Sequence, residues 1–179
     1  MMNIIIKQET AADYEDVKQV IKAAFANAEH SDKNEHKLVA RLRDSDEYIS
    51  ELSLVAVDKD RNHIVGHILL SKIKIIHDNY AVESLALAPI AVLPEYQHKG
   101  IGKRLISEAL KIATAIGFKS VVVLGHPDYY PKFGFEKASK WGIKAPFEVP
   151  NEAFMAVELK EGALKNASGV VEYPSVFFE

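Results

Sequence analysis

The chain has no cysteine among its 179 residues. Disulfides, thiolate metal sites and a cysteinyl acyl intermediate are therefore outside its own chemistry. No apolar run approaches the ~18 residues that suggest a membrane-spanning helix. Positive charge is not in excess either. With 22 Lys and Arg against 25 Asp and Glu, the net charge is −3, which argues against the basic surface of a general nucleic-acid binder. The seven histidines are scattered, without a His-Glu-x-x-His or similar spacing, so no metal is expected. The opening Met1-Met2-Asn3-Ile4-Ile5-Ile6 is too short for a signal peptide and lacks a basic leader, and a cytoplasmic location is the expectation. What is present is an ordinary globular balance, 48% apolar and 26% charged, without repeats or low-complexity linkers. The length suits one domain over 1–179.

Apolar periodicity predicts a strand over 3–7, then a helix with Tyr14, Val17, Ile21, Ala24 and Phe25 at helical spacing. Thr10 or Asp13 can cap it. Residues 27–34 read as a polar loop, and a second helix starts near Glu35, with Leu38, Val39 and Leu42 on its apolar face. Strands are expected over 52–57, 63–76 and 82–92, separated by turns. Pro89 lies inside the last of these and removes a ladder donor, which predicts a bulge or splayed edge. A third helix carries Leu105, Ile106, Ala109, Leu110, Ala113 and Ile116 in one stripe and stops at Gly117. Further strands are expected over 120–124 and 153–159, and between them a strand with its exit loop over 135–147. The tail, 161–179, closes on Tyr173-Pro174-Ser175-Val176-Phe177-Phe178. It is apolar enough to pack on the domain or on a partner, completing an acceptor pocket or the interface of a homodimer. Interleaved strands and helices of this order make an α/β protein with a mixed sheet and helices on its faces.

Between the central strand and the third helix stands Gln97-His98-Lys99-Gly100-Ile101-Gly102. A glycine turn between a strand and a helix suits phosphate, because backbone N–H groups approach the anion closely at the positive end of the helix. The dinucleotide fingerprint fails, since Leu105 stands where its third glycine or alanine belongs. The P-loop fails too, with Gln97 in place of its first glycine and Arg104 in place of the hydroxyl residue.

The remaining pattern, Gln-x-x-Gly-x-Gly at Gln97, Gly100 and Gly102, resembles the acetyl-CoA pyrophosphate loop of the GCN5-related N-acetyltransferases (GNAT). The context agrees over about fifty residues, 85–135. Leu87 to Tyr96 looks like that family's fourth strand and exit. Ser120 to Leu124, and a tyrosine four residues before Gly134-Phe135, look like its second cofactor motif. Within the family, His126 to Phe135 resembles the YhbS-like branch. The resemblance implies the acyl-CoA N-acyltransferase fold: a central mixed sheet, helices on both faces, and parallel fourth and fifth strands that splay to admit the pantetheine arm. It also implies acetyl-CoA as co-substrate and an amine acceptor; from the charge balance and the lack of a long apolar run, neither nucleic acid nor membrane is expected as partner.

The same resemblance assigns cofactor contacts to the backbone of Gln97, His98, Lys99, Gly100, Ile101, Gly102 and Lys103. Ile90, Ala91 and Val92 would line the pantetheine, with one N–H facing the thioester oxygen. Arg104 reads instead as part of a solvated helix face, with Glu108 as its i,i+4 partner. Tyr130 stands at the family's position for protonating the leaving thiolate, and a phenol near ~10 matches a thiolate of similar basicity. For the base that relieves the acceptor ammonium of its proton, the candidates are Glu83, His126 and Glu35, or a chain of waters. The expected reaction is direct attack of a primary amine on acetyl-CoA in a ternary complex. Two alternatives stay open: a non-catalytic acyl-CoA sensor, and a transferase for a longer acyl chain.

Overall fold

Alternating and continuous apolar runs set the strands of this chain, and its amphipathic stretches set the helices. A computed structural model describes residues 2–29 and 31–179. In chain order the elements are β1 (Ile4–Gln8), α1 (Tyr14–Phe25), α2 (Glu35–Arg43), β2 (Ser53–Asp58), β3 (His63–His77), β4 (Tyr80–Val92) and α3 (Ile101–Ala115). Then come β5 (Ser120–Leu124), β6 (Glu136–Lys137), β7 (Ile143–Lys144), β8 (Phe154–Glu158) and β9 (Gly169–Glu172). Short 3₁₀ turns join several of them. The residues pack as two compact units, Met1–Leu70 with Ala88–Ile112, and Ser71–Leu87 with Ala113–Glu179. β3, β4 and α3 contribute residues to both.

In the first unit β1 lies antiparallel to β2, with Ile6 opposite Ala56. β2 lies antiparallel to β3, with Val55 opposite His67, and β3 neighbours β4. Every residue of β2 is buried, as a strand covered on both faces requires. Successive β3 side chains show what covers each face. A Cβ on Gly66 would stand 3.1 Å from Leu105 Cδ1 of α3. His67 points the other way and meets the Glu9 carboxylate, which in turn binds Arg43 of α2. Helices thus cover both faces here. α1 buries Val17, Val20 and Ile21, and α2 buries Val39 and Leu42.

In the second unit β4 runs parallel to β5, with Ala86 opposite Val122. β5 is antiparallel to β8, and β8 to β6. β9 pairs antiparallel with β3, placing Ile75 opposite Val171, and parallel with β7. The core here joins Ile73, Ile75, Val122, Ile143, Phe154 and Leu164, with Trp141, Tyr173 and Phe177 packed against it.

One expectation changes. The segment after Phe135 is not one strand. It forms two-residue β6 and β7 joined by a 3₁₀ turn, Ala138–Trp141, which ends at Gly142 with φ 71°. Lys137-Ala138-Ser139-Lys140-Trp141 has no alternation that would favour an uninterrupted strand. The tail forms β9 and packs within its own unit, burying Leu164, Ala167 and Val171. β4 runs through Pro89, which is buried and follows a cis peptide bond from Ala88. α3 ends as expected. Phe118 N–H donates to Ala113 O at 2.9 Å and Gly117 N–H to Thr114 O at 3.2 Å, the Schellman pattern.

Candidate active site

In the first unit β4 delivers Ile90, Ala91 and Val92 directly into the turn that carries the glycines. Ala91 is buried, while Ile90 and Val92 are partly exposed. The turn itself is tied at both ends. The Tyr96 hydroxyl donates to Asp58 Oδ2 at 2.7 Å, anchoring the turn to the end of β2. That hydrogen bond is the main reason the Asp58 carboxyl is held below its ordinary pKa. The Gln97 side-chain amide donates back to Val92 O at 3.0 Å. Gln97 therefore closes the turn on itself. His98 and Gly100 both take left-handed backbone, with φ 63° and 83°.

Gly100 occupies that conformation in open space, since a Cβ there would meet nothing within 4 Å. α3 then begins at Ile101. Arg104 N–H is satisfied by Gly100 O at 3.1 Å, and the N–H groups of Ile101, Gly102 and Lys103 belong to the first turn, which has no intrahelical acceptor. Gln97, His98, Lys99, Gly100 and Lys103 are exposed. The result is a solvent-open helix N-terminus with three N–H groups free of intrahelical acceptors, a geometry that suits an anion. Arg104 is not part of it and does not pair with Glu108. Its guanidinium donates to Ile4 O of β1 at 2.8 Å, because a long side chain on this turn of α3 reaches an available strand carbonyl.

The first unit also holds a buried polar cluster that sequence reading passed over. The Glu9 carboxylate accepts two bonds from Arg43, at 3.2 Å from Nε and 2.6 Å from Nη2. It takes further bonds from Tyr48 and Ser53 hydroxyls at 3.3 and 3.0 Å. His67 Nε2 lies 3.1 Å from Ser53 Oγ. Because Ser53 gives its one proton to Glu9, Nε2 must be the protonated nitrogen of His67. Nδ1 is then a bare acceptor, and it is buried with no protein partner among the described residues. Burial lowers the His67 pKa to about 4, Glu9 opposing that shift and Arg43 adding to it. The available signal was a histidine inside the apolar run of β3 and a glutamate just after β1.

The second unit carries the other candidates. Tyr130 opens a 3₁₀ turn, Tyr130–Phe133, and is buried to 8% exposure. Its ring meets Tyr129 edge-on at 5.2 Å and Phe135 at 5.7 Å. Its hydroxyl makes no hydrogen bond among the described residues. Burial, with a smaller contribution from Tyr129, pushes the phenol up to about 12. Gly125, not singled out from sequence, lies directly under this ring. His126 and Tyr130 are brought together through the backbone, Tyr130 N–H donating to His126 O at 3.5 Å. The His126 ring is exposed, and its Nδ1 accepts from the Asp128 N–H at 3.2 Å. Its observed contact therefore caps the turn. Glu83 sits on β4, exposed, without a hydrogen bond or ion pair among the described residues, and nothing links it to Tyr130 or His126. Nearby in sequence, Ser84 and Ser120 share a buried hydrogen bond of 2.7 Å that ties β4 to β5. Glu35, in the first unit, accepts from Ser31.

Among the described residues no group of three or more His, Asp or Glu is arranged to hold a metal, and no helix is long and apolar enough to cross a membrane.

Comparison with known proteins gives one consistent family. The model of the acetyltransferase (GNAT) family matches residues 15–135. Escherichia coli K12 N-acetyltransferase YhbS is 30% identical over 174 residues, 97% of this chain and 98% of that protein. YjhQ from the same strain is 36% identical over 142 residues, 79% of this chain and 75% of that protein. The crystal structure of E. coli YhbS in complex with CoA superposes with a TM-score of 0.86 at 27% identity, covering 100% of this chain and 94% of that one. A Brucella melitensis GNAT acetyltransferase in complex with acetyl-CoA gives 0.80 at 28% identity, covering 98% of each. The glycine turn at the head of α3, the parallel β4–β5 pair and these matches agree: the chain belongs to the acetyltransferase (GNAT) family and is an N-acetyltransferase.

Proposed function

We propose that this enzyme transfers the acetyl group of acetyl-CoA to a primary amine, on a small molecule or an exposed protein site, by direct attack in a ternary complex. The cradle at the start of α3 carries this reading. Its N–H groups from Ile101 to Lys103 suit the CoA pyrophosphate, and Lys99 and Lys103 add positive charge beside it. Relatives crystallised with CoA and acetyl-CoA support the choice of ligand. Ile90, Ala91 and Val92 offer backbone N–H and C=O groups to the pantetheine. One of those N–H groups stabilises the thioester oxygen as charge develops on it. The chain has no cysteine, so the amine attacks the thioester carbon itself and the C–S bond breaks as the amide forms.

Tyr130 serves the departing sulfur. A phenol raised to about 12 is a weaker acid than a thiol near ~8.5, so complete proton transfer to the thiolate runs uphill. Its role is a hydrogen bond to the sulfur, donated by a phenol that stays protonated across the physiological range. This replaces the matched acidity expected from an unshifted tyrosine. For the amine proton we assign Glu83 ahead of His126, because the His126 ring already holds its turn and Glu83 is unengaged.

Thermal unfolding with acetyl-CoA, CoA, NAD and ATP tests the ligand. At a hundred times its dissociation constant, acetyl-CoA is expected to add about 2.7 kcal/mol of stability, with CoA acting alike and NAD and ATP inert. No shift with either CoA species would overturn the reading. Thiol release across an amine panel then tests transfer. Glu83→Gln is expected to slow acetyl transfer about a hundredfold or more at saturating acetyl-CoA, and unchanged turnover would dismiss Glu83.

A further inference from the structure

Gly125 stands immediately after β5, and its N–H donates to Ala153 O at 2.9 Å, pinning the strand end. Its backbone φ lies outside the left-handed region that six other glycines of this chain occupy, so left-handed strain does not account for glycine here. Space would not. A Cβ built on Gly125 would lie 2.3 Å from Tyr130 Cε2, 3.0 Å from Cδ2 and 3.2 Å from Cζ. Carbon atoms pack favourably at about 3.5–4.0 Å, so the ring and a Cβ cannot share this place.

The obstruction falls on the hydroxyl-bearing half of the ring. The other contacts, Tyr129 and Phe135 at 5.2 and 5.7 Å, are edge-on aromatic pairs, which hold a ring's orientation. Gly125 is thus the floor of a three-sided seat that sets where the phenol points.

We propose that Gly125 is a positioning residue: its missing side chain lets the Tyr130 ring lie against the end of β5, and this directs the Tyr130 hydroxyl to the sulfur of CoA. The proposal rests on the assignment of Tyr130 as the hydrogen-bond donor to that sulfur.

The thiol of bound CoA gives a direct readout without an acceptor amine. A donor to the thiolate favours its charged form. Followed by ultraviolet thiolate absorbance against pH, Tyr130→Phe is expected to raise the thiol midpoint by about one pH unit. Gly125→Ala is expected to raise it in the same direction with Tyr130 intact. If Tyr130→Phe leaves the midpoint unmoved, the Tyr130 assignment fails and this proposal with it. If Tyr130→Phe moves it and Gly125→Ala does not, the Gly125 proposal alone fails. If the wild-type protein binds no CoA, both are overturned.

A melting cycle separates the seat from a general need for glycine and covers the case in which Gly125→Ala folds poorly. Gly125→Ala is expected to lower the melting temperature of the wild-type chain, yet to change it little in a Tyr130→Ala background, where the ring is gone. An equal loss in both backgrounds would place the requirement elsewhere in the backbone and overturn the proposal.

Discussion

At the scale of single residues, the Glu9 cluster shows how a buried ionisable group couples folding to pH. His67 is fully buried, and its pKa falls to about 4 in the folded protein against about 6.5 for an unperturbed histidine. Between those values the unfolded chain binds the extra proton, so stability rises with pH. The contribution is fully present above about pH 6.5 and is lost as pH falls toward the folded value near 4. A gap of this size corresponds to roughly 3 kcal/mol. Denaturant unfolding from pH 7 down to about pH 4 is expected to show this decline, and His67→Leu to flatten the part due to imidazole. An identical slope in both proteins would show that His67 is not its source. The tautomer follows from the same inventory of donors and acceptors, since a single Ser53 proton cannot serve two neighbours.

At the scale of elements, the strand–turn–helix from β4 to α3 carries the cofactor contacts proposed for the first unit. Gly100 has two independent qualifications for its place, a left-handed φ of 83° and an open side. Gly100→Ala forces an L-residue into that conformation, at a cost of about 1–2 kcal/mol. It also puts a methyl group where a phosphate would approach. CoA affinity is expected to fall about tenfold or more, as each 1.4 kcal/mol is a factor of ten, while the melting temperature falls by only a few degrees. Calorimetric titration with CoA checks this, and unchanged affinity would remove Gly100 from the cradle. The turn's other supports, Tyr96 on Asp58 and Gln97 on Val92, explain why an exposed loop can keep a defined shape.

At the scale of the whole molecule, each of the two compact units has its own buried groups, and the tail belongs to the second. Leu164, Ala167 and Val171 are buried in its core, and β9 pairs with both β3 and β7. Burying a leucine or valine stabilises by about 1.5–3 kcal/mol, so Leu164 and Val171 together approach the total stability of a marginal protein, about 5 kcal/mol. A chain ended at Gly162 is therefore expected to lose cooperative unfolding and to precipitate. A soluble, cooperatively melting truncation would show that the tail is dispensable to this core.

Sequence by itself determined what depends on local order along the chain. The 3.6-residue stripe of α3 with Gly117 at its end, the β-branched run of β5, and the Gln-x-x-Gly-x-Gly spacing are each complete within one segment. They sufficed for the resemblance to the family, which in turn implied the parallel β4–β5 pair, and for the place of the glycine turn before α3. The tertiary structure decided whatever depends on residues distant in the chain. Glu9, Arg43, Ser53 and His67 come from four separate elements or their edges, and no spacing joins them. Arg104 finds Ile4 O across 100 positions rather than Glu108 four residues on. β9, only four residues long, was too short to announce itself. Tyr130 was legible as a position, but its pKa was not, because desolvation is set by Phe135, Tyr129 and the other groups that fold around it. The physical reason is common to all of these: periodicity and capping are short-range properties of a chain, whereas burial and hydrogen-bond partnership exist only once distant segments have met.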